Sequence, residues 1–360
     1  MFNLSTRQVL PLIVVILIVI FGISMVMDAD WRGAPTTDVA AVASKPPSPI
    51  KAIVTQQKTA PIKTTTLTTA TPPEPSTPKP PKTSTTPNPA PVVPVVVTPA
   101  NPLASVQTWV SYYAADQISK LSAFDLVEID TEGGTDNYTQ SDVKQLKDGG
   151  VIVVSYLNVG ACETFRSYWK QCEKFKLAPY EGYPGEYWMD VTKSDYHTLL
   201  ITAARAILDN GVQGFYLDNI DIYQEPLGGY NSKQLKEGVA SIVTKLRAAF
   251  PNAIIIAQNG IYSPENNVLL YSSAVTGNKP LYTFIDAESH EEVFTNTDET
   301  AAIVEALVDL RSKGVPVFNL EYPEPLNATS AQEIIDRSRA LGFIPYVSDV
   351  GLDTVYNYSL

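Results

Sequence analysis

Eight short β-rich runs recur between residues 109 and 349: "WVSYYA" (109–114), "FDLVEID" (124–130), "VIVVSYLNVG" (151–160), "GFYLDNID" (214–221), "AIIIAQNG" (253–260), "YTFIDAESH" (282–290), "VPVFNLEY" (315–322) and "FIPYVSD" (343–349). Each has the length and the β-branched or aromatic content of a strand. Helical patterns separate most of them, the clearest being "DYHTLLITAARAILDNG", "NSKQLKEGVASIVTKLRAAF", "DETAAIVEALVDLRSKG" and "SAQEIIDRSRALG". Strands alternating with helices build parallel βαβ units, and eight of them over this length predict an α/β fold, a closed (β/α)8 TIM barrel. Three of the helical patterns run into Gly211, Gly314 and Gly342 just before the next strand, where a left-handed helix cap is expected. The first helix is short and the sixth weak, so irregularity is expected there.

The apolar runs end in polar groups. Strand 2 ends at Asp130, strand 3 near Asn158 with a continuation to Glu163, and strand 4 at Asp218 and Asp221. Strand 5 ends in Gln258 and Asn259, strand 6 holds Asp286, Glu288, His290, Glu291 and Glu292, strand 7 ends at Glu321 and strand 8 at Asp349. The C-terminal ends of barrel strands form the mouth, where reacting groups sit. A buried strand can therefore end in carboxylates without burying them in the packed core.

The region ahead of the barrel is of a different kind. Residues 9–27, "VLPLIVVILIVIFGISMVM", carry no charge, with Arg7 before them and Asp28 and Asp30 after. A run of about 20 apolar residues is long enough to span a bilayer, and the flanking charges put the N-terminus inside and the rest outside. Segment 1–27 is thus expected to be a membrane anchor, the alternative being a cleaved signal peptide and secretion. Segment 28–104 is rich in Pro, Thr, Ala and Val; it offers little to bury and is expected to be a disordered, stalk-like linker. Residues 105–360 are the barrel domain.

Charge narrows the partners. Of 26 basic and 38 acidic residues, eight and four lie in 1–104, which leaves 18 against 34 in the barrel domain, a net charge of −16. Such a domain disfavours nucleic acid and anionic polymers and suits a neutral or cationic substrate. The two cysteines, Cys162 and Cys172, are close in sequence and outside the cytoplasm are expected to form a disulfide. With two histidines, His197 and His290, they make no zinc site, and neither metal nor cofactor is implied.

Several barrel chemistries lose their residues here. A Schiff-base aldolase needs a lysine near a strand end, and none of the eight runs contains one. No Gly-rich phosphate loop follows strands 7 and 8. Paired carboxylates among aromatic and amide neighbours are glycosidase equipment: one acid protonates the leaving oxygen and the other acts as nucleophile or base. Tyr112, Tyr113, Tyr156, Tyr183, Trp188 and Tyr216 are candidate sugar platforms.

"VIVVSYLNVGACETFRSYW", "YPGEYWMDV" and "GVQGFYLDNIDIY" together resemble glycoside hydrolase family 114, the endo-α-1,4-polygalactosaminidase family, over nearly all of residues 105–360. The resemblance implies hydrolysis of an α-1,4-linked galactosamine polymer, a cationic exopolysaccharide. Asp218 matches the family's catalytic aspartate after strand 4. The catalytic glutamate after strand 6 is best matched by Glu291; strict alternation puts Asp286, Glu288 and His290 on one face and makes Glu288 the alternative. Gln213, where the family often has an acid, and Cys162 are departures. Asp221, Asp130, Tyr156, Glu163, Arg166, Asn259, Glu288 and Glu321 are candidate binding or supporting residues. A non-catalytic carbohydrate-binding barrel, or a hydrolase of another α-linked glycan, is the alternative reading.

Overall fold

A computed structural model describes residues 101–133, 137–261, 268–296 and 300–360. The anchor expected at 9–27 and nearly all of the linker lie outside the described residues. Eleven strands occur among the described residues, in chain order: β1 (Trp109–Ser111), β2 (Leu126–Ile129), β3 (Ile152–Asn158), β4 (Ala161–Glu163), β5 (Lys176–Pro179), β6 (Glu186–Met189), β7 (Gly214–Asp218), β8 (Ile254–Gln258), β9 (Ala287–Glu291), β10 (Val317–Glu321) and β11 (Ile344–Val347). Eight of them pair in parallel in the order β1-β2-β3-β7-β8-β9-β10-β11. The edges β1 and β11 meet without a ladder among the described residues; Trp109 Nε1 donates to Ile344 O at 2.9 Å, and Tyr113 N to Leu352 O at 2.8 Å. The sheet is a nearly closed, TIM-like barrel.

Period-two alternation sorts every strand into an inner and an outer face. Trp109 fills the interior, fully buried, with Phe318 at 5.1 Å and Tyr346 at 6.1 Å edge-on and Tyr216 at 6.3 Å roughly parallel. The register then carries the inner face round the mouth: Asn158 pairs with Asp218, Gln258 with Ser289, and Leu320 with Glu291. Gly214 is demanded by this packing, since a Cβ there would stand 2.1 Å from Ile254 O of the adjacent strand.

The α-helices among the described residues are α1 (Ile118–Leu121), α2 (Gln140–Asp148), α3 (Trp169–Cys172), α4 (Ser194–Asp209), α5 (Ser232–Ala249), α6 (Thr300–Ser312) and α7 (Ala328–Ala340). Thr139 with Asp142, Asn231 with Gln234 and Asn327 with Ser330 form reciprocal caps at three of their N-termini, satisfying amides that have no partner within the helix. Gly211, Gly314 and Gly342 take φ of 94°, 87° and 74°, the left-handed exits expected of them.

The structure differs from the sequence reading in three ways. The first helix is short, as expected, at four residues. The other irregularity falls at the fifth connection, not the sixth: between β8 and β9 the described residues hold only single 3-10 turns at Leu269–Tyr271 and Leu281–Phe284, whereas α6 has 13 residues. The stretch after β3 is not a plain connection but an antiparallel sheet of order β4-β6-β5. There Cys162 and Cys172 are bonded, with Cα atoms 6.6 Å apart. The folded domain also reaches back past residue 105, because Leu103 is buried and Asn101 Nδ2 donates to Asp286 O at 2.7 Å.

Candidate active site

Asp218 closes β7 on the inner face and is only 3% exposed. Tyr156, on the inner face of β3, donates its hydroxyl to Asp218 Oδ2 at 2.7 Å. Asn219 N donates to Oδ1 at 2.7 Å. Two donors, one on each oxygen, fix the orientation of the carboxylate. Asn219 reaches this position in the left-handed region, at φ 55°, a conformation that asparagine tolerates better than most residues. Its backbone is packed so closely against Gly160 that a Cβ there would lie 2.0 Å from Asn219 O.

Glu291 ends β9 on the same inner face, one strand beyond β8, and is half-buried. Asn259 Nδ2 donates to its Oε2 at 2.9 Å and Tyr322 to its Oε1 at 2.6 Å. Burial, followed by the negative charge of Asp218, pushes the Glu291 carboxyl up to about 7, while the Tyr322 and Asn259 donors work in the opposite direction. Glu292 is also pushed to about 7, by burial and then by the charge of Glu321. Asn219, Asn259 and Glu292 follow the last residues of β7, β8 and β9 and all have φ 55°. Three consecutive strands thus turn sharply at the point where the functional groups emerge, and for a glutamate that conformation is strained.

The remaining candidates divide into two groups. Arg166 is buried and binds Glu163 through Nε at 3.0 Å and Nη2 at 2.8 Å, and Asp130 through Nη1 at 2.9 Å. Its guanidinium carbon lies 5.0 Å from the Tyr156 ring centre. Asp130, Glu163 and Arg166 therefore serve one another and support Tyr156, with no face open to a sugar. Asp221 is half-buried just past Asp218, and its charge acts on the Tyr180 hydroxyl. Glu288 and Glu321 do not reach the mouth. They lie on the outer faces of β9 and β10, both fully buried. Glu288 accepts from Ile261 N at 3.1 Å, and burial raises its pKa well above the carboxylate range. Glu321 accepts from Phe294 N at 2.8 Å and Thr295 N at 3.1 Å, pinning the loop after β9. Strict alternation did group Asp286, Glu288 and His290 on one face, but it is the face turned to the helices.

Several mouth residues escaped the sequence reading. Tyr322 follows Glu321 in "NLEYP", and counting by twos from Leu320 would have put it inside. Glu186, from "YPGEYWMDV", accepts from Asn158 Nδ2 at 2.8 Å and Asn219 Nδ2 at 3.3 Å. It comes from β6, a strand the reading lacked. Glu128, on the inner face of β2, accepts from Ser111 Oγ at 2.5 Å. Of the expected platforms, Tyr112, Tyr156, Tyr216 and Trp188 are at most 3% exposed and act as packing. Tyr183 is buried edge-on against Tyr180, and Tyr113 stays half-buried. Among the described residues no cluster of His, Cys, Asp or Glu is arranged to hold a metal ion.

A TIM-like barrel whose mouth carries inward carboxylates, Asp218 and Glu291 among them, the latter with a pKa near neutrality, has the equipment of a glycoside hydrolase. Residues 88–360 match the model of glycoside-hydrolase family GH114, and the chain belongs to that family. An uncharacterised protein of Deinococcus radiodurans is 28% identical over 288 residues, covering 72% of this chain and 88% of that one. Another, of Thermotoga maritima, is 25% identical over 259 residues, covering 64% and 77%. The fold is similar to the glycoside hydrolase domain of PelA from Pseudomonas aeruginosa, with a TM-score of 0.58 and 21% identity over 69% of this chain and 97% of that one. It is likewise similar to Aspergillus fumigatus Ega3, solved in complex with galactosamine, with a TM-score of 0.56 and 17% identity over 71% and 96%.

Proposed function

We propose that this protein hydrolyses α-1,4-galactosaminidic bonds in a cationic amino-sugar polymer, with Glu291 as proton donor and Asp218 as its carboxylate partner. The observation that carries this reading is the Glu291 carboxyl: half-buried, held by Asn259 and Tyr322, and raised to about 7 by burial and by Asp218. A general acid has to be protonated at the operating pH and able to release its proton. In the step itself, the Glu291 proton passes to the glycosidic oxygen as the bond from that oxygen to the anomeric carbon breaks. Asp218 either attacks that carbon, forming a glycosyl-enzyme that water then hydrolyses as Glu291 takes the water's proton, or itself takes a proton from the water that attacks directly; the first course, with two displacements, retains the configuration and the second, with one, inverts it. Tyr156 and the Asn219 amide hold Asp218 on its line of approach.

The substrate class is supported by charge and by likeness. A −16 domain with Asp218, Asp221 and Glu186 near its mouth attracts ammonium groups and repels uronic acids. Ega3, of similar fold, was solved with galactosamine. The uncharged run at 9–27 and the Cys162–Cys172 bond support a place outside the cytoplasm, anchored or secreted.

The test is the release of new reducing ends by the purified protein from galactosamine polymer, its N-acetylated form and an unrelated α-glucan. Cleavage of the first, lost in Asp218→Asn and Glu291→Gln, is expected. Binding without cleavage by the wild type would instead establish a carbohydrate-binding barrel, and cleavage of the glucan alone would replace the substrate.

A further inference from the structure

Phe165 is the one aromatic side chain among the described residues that stands well out in water, at 39% exposure. It does not hang on a loose loop. Thr164 N donates to Gly185 O at 2.8 Å, tying the turn to the start of β6. Ser167 Oγ donates to Glu132 Oε2 at 2.9 Å, tying it to the loop after β2. Next to it Arg166 is fixed by three hydrogen bonds to Glu163 and Asp130. The guanidinium contacts two rings, with its carbon 4.8 Å from the Phe165 centre and 5.0 Å from the Tyr156 centre. Tyr156 in turn holds Asp218. Phe165, Arg166, Tyr156 and Asp218 are therefore linked in series, by two ring–guanidinium contacts and one hydrogen bond, from an exposed ring to the candidate catalytic carboxylate.

We propose that Phe165 is the floor of an outer sugar-binding subsite, its open side taking a pyranose ring of the polymer several units from the bond being cut. This inference rests on the amino-sugar polymer reading above. Three points favour a sugar over other occupants. An exposed ring keeps unfavourable contact with water unless a ligand covers it, and a rigid ring loses little conformational entropy on being covered. A galacto-configured pyranose presents several C–H groups on one face, which pack against an aromatic face as an apolar patch. The trio beneath, two carboxylates and one guanidinium, carries a net negative charge and does not repel a ring bearing an ammonium group.

The experiment compares wild type, Phe165→Ala and Phe165→Trp on galactosamine oligomers of increasing length and on the polymer. The ring is exposed, so the alanine variant is expected to melt with the wild type. Aromatic stacking of this kind contributes enough for about a tenfold change, equivalent to about 1.4 kcal/mol. The alanine variant should lose about tenfold in kcat/KM on polymer and long oligomers, through KM, because the contact is made equally before and during the reaction. It should match the wild type on the shortest oligomer that is cut, and tryptophan should restore the loss. Equal loss at every length, or loss confined to kcat, would mean that Phe165 acts through Arg166 and overturns the subsite; no loss at any length also overturns it. A wild type that cuts no galactosamine oligomer defeats the substrate reading itself, a result distinct from an active wild type indifferent to Phe165.

Discussion

Asn259 and Glu291 close a ring across the ends of two neighbouring strands: Asn259 Nδ2 donates to Glu291 Oε2 at 2.9 Å, and Glu291 N donates to Asn259 Oδ1 at 3.0 Å. The ring forms because Asn259 turns into the left-handed region directly after β8, where asparagine is favoured. It fixes Glu291 at both its backbone and its carboxyl group.

Replacing Asn259 by alanine removes both bonds and puts at φ 55° a residue without asparagine's tolerance of that region. A donor loosened by a fraction of an ångström reacts much more slowly. The Asn259→Ala variant should lose about 10- to 100-fold in kcat with little change in KM. Steady-state kinetics on the polymer checks this, and a loss carried wholly by KM would assign Asn259 to binding instead.

With Glu291 in its proposed role as proton donor, the rate should fall as pH rises past about 7, because the donor must carry its proton and Glu291 is raised to about 7. Asp218 is the second cause of that rise, after burial. In Asp218→Asn the Glu291 carboxyl should therefore titrate lower, which carbon-detected NMR of the labelled carboxyl can follow. An unchanged titration in the variant would mean that the two groups are not coupled. Glu292, also at about 7, is distinguished by Glu292→Gln, which should leave the basic limb in place.

The raised pKa of Glu291 also has a consequence for stability. The folded state holds the proton up to about 7, and the unfolded chain releases it near 4.3. Folded protein binds more protons over that interval, so stability falls as pH rises through it and stays lower above. Glu291→Gln removes the buried charge and keeps the group's shape. Near pH 8 the variant should melt higher than the wild type, by on the order of 5 °C, with the difference shrinking towards pH 4. Thermal melts across pH test this, and a variant less stable at pH 8 would contradict it.

The barrel could be read from the sequence because its signal is local. Strand periodicity and glycine helix ends repeat every few residues, so all eight barrel strands were found, each within a few residues. Asp218 stood out for the same reason, as the polar end of an apolar strand. The facing of β9 was not legible: "AESHE" is polar on both faces, and only pairing with β8 and β10 shows that Ser289 and Glu291 turn inward while Glu288 and His290 turn outward. Glu186 depended on a sheet whose strands have three or four residues, too short for alternation to register. Arg166 was found as a candidate, but its partners, 36 residues away at Asp130 and three away at Glu163, meet only in the folded chain.

That Arg166 cluster supplies the last prediction. Two carboxylates and one guanidinium are taken almost wholly from water, and the arrangement is tolerable only because the guanidinium fork matches both acids. Arg166→Met leaves two buried carboxylates facing each other without a cation, a change that typically costs about 3–5 kcal/mol. The melting temperature should fall by on the order of 10 °C, and adding Glu163→Gln should recover part of the loss. Arg166→Lys keeps the charge but cannot span three hydrogen bonds, so it should melt between the two. Its kinetics are the more informative measurement. Tyr156 leans on the guanidinium at 5.0 Å and donates to Asp218, so a folded lysine variant should lose about tenfold in kcat through a displaced Tyr156. A lysine variant that folds with full kcat would confine the cluster to stability and leave Tyr156 to be held by its strand alone.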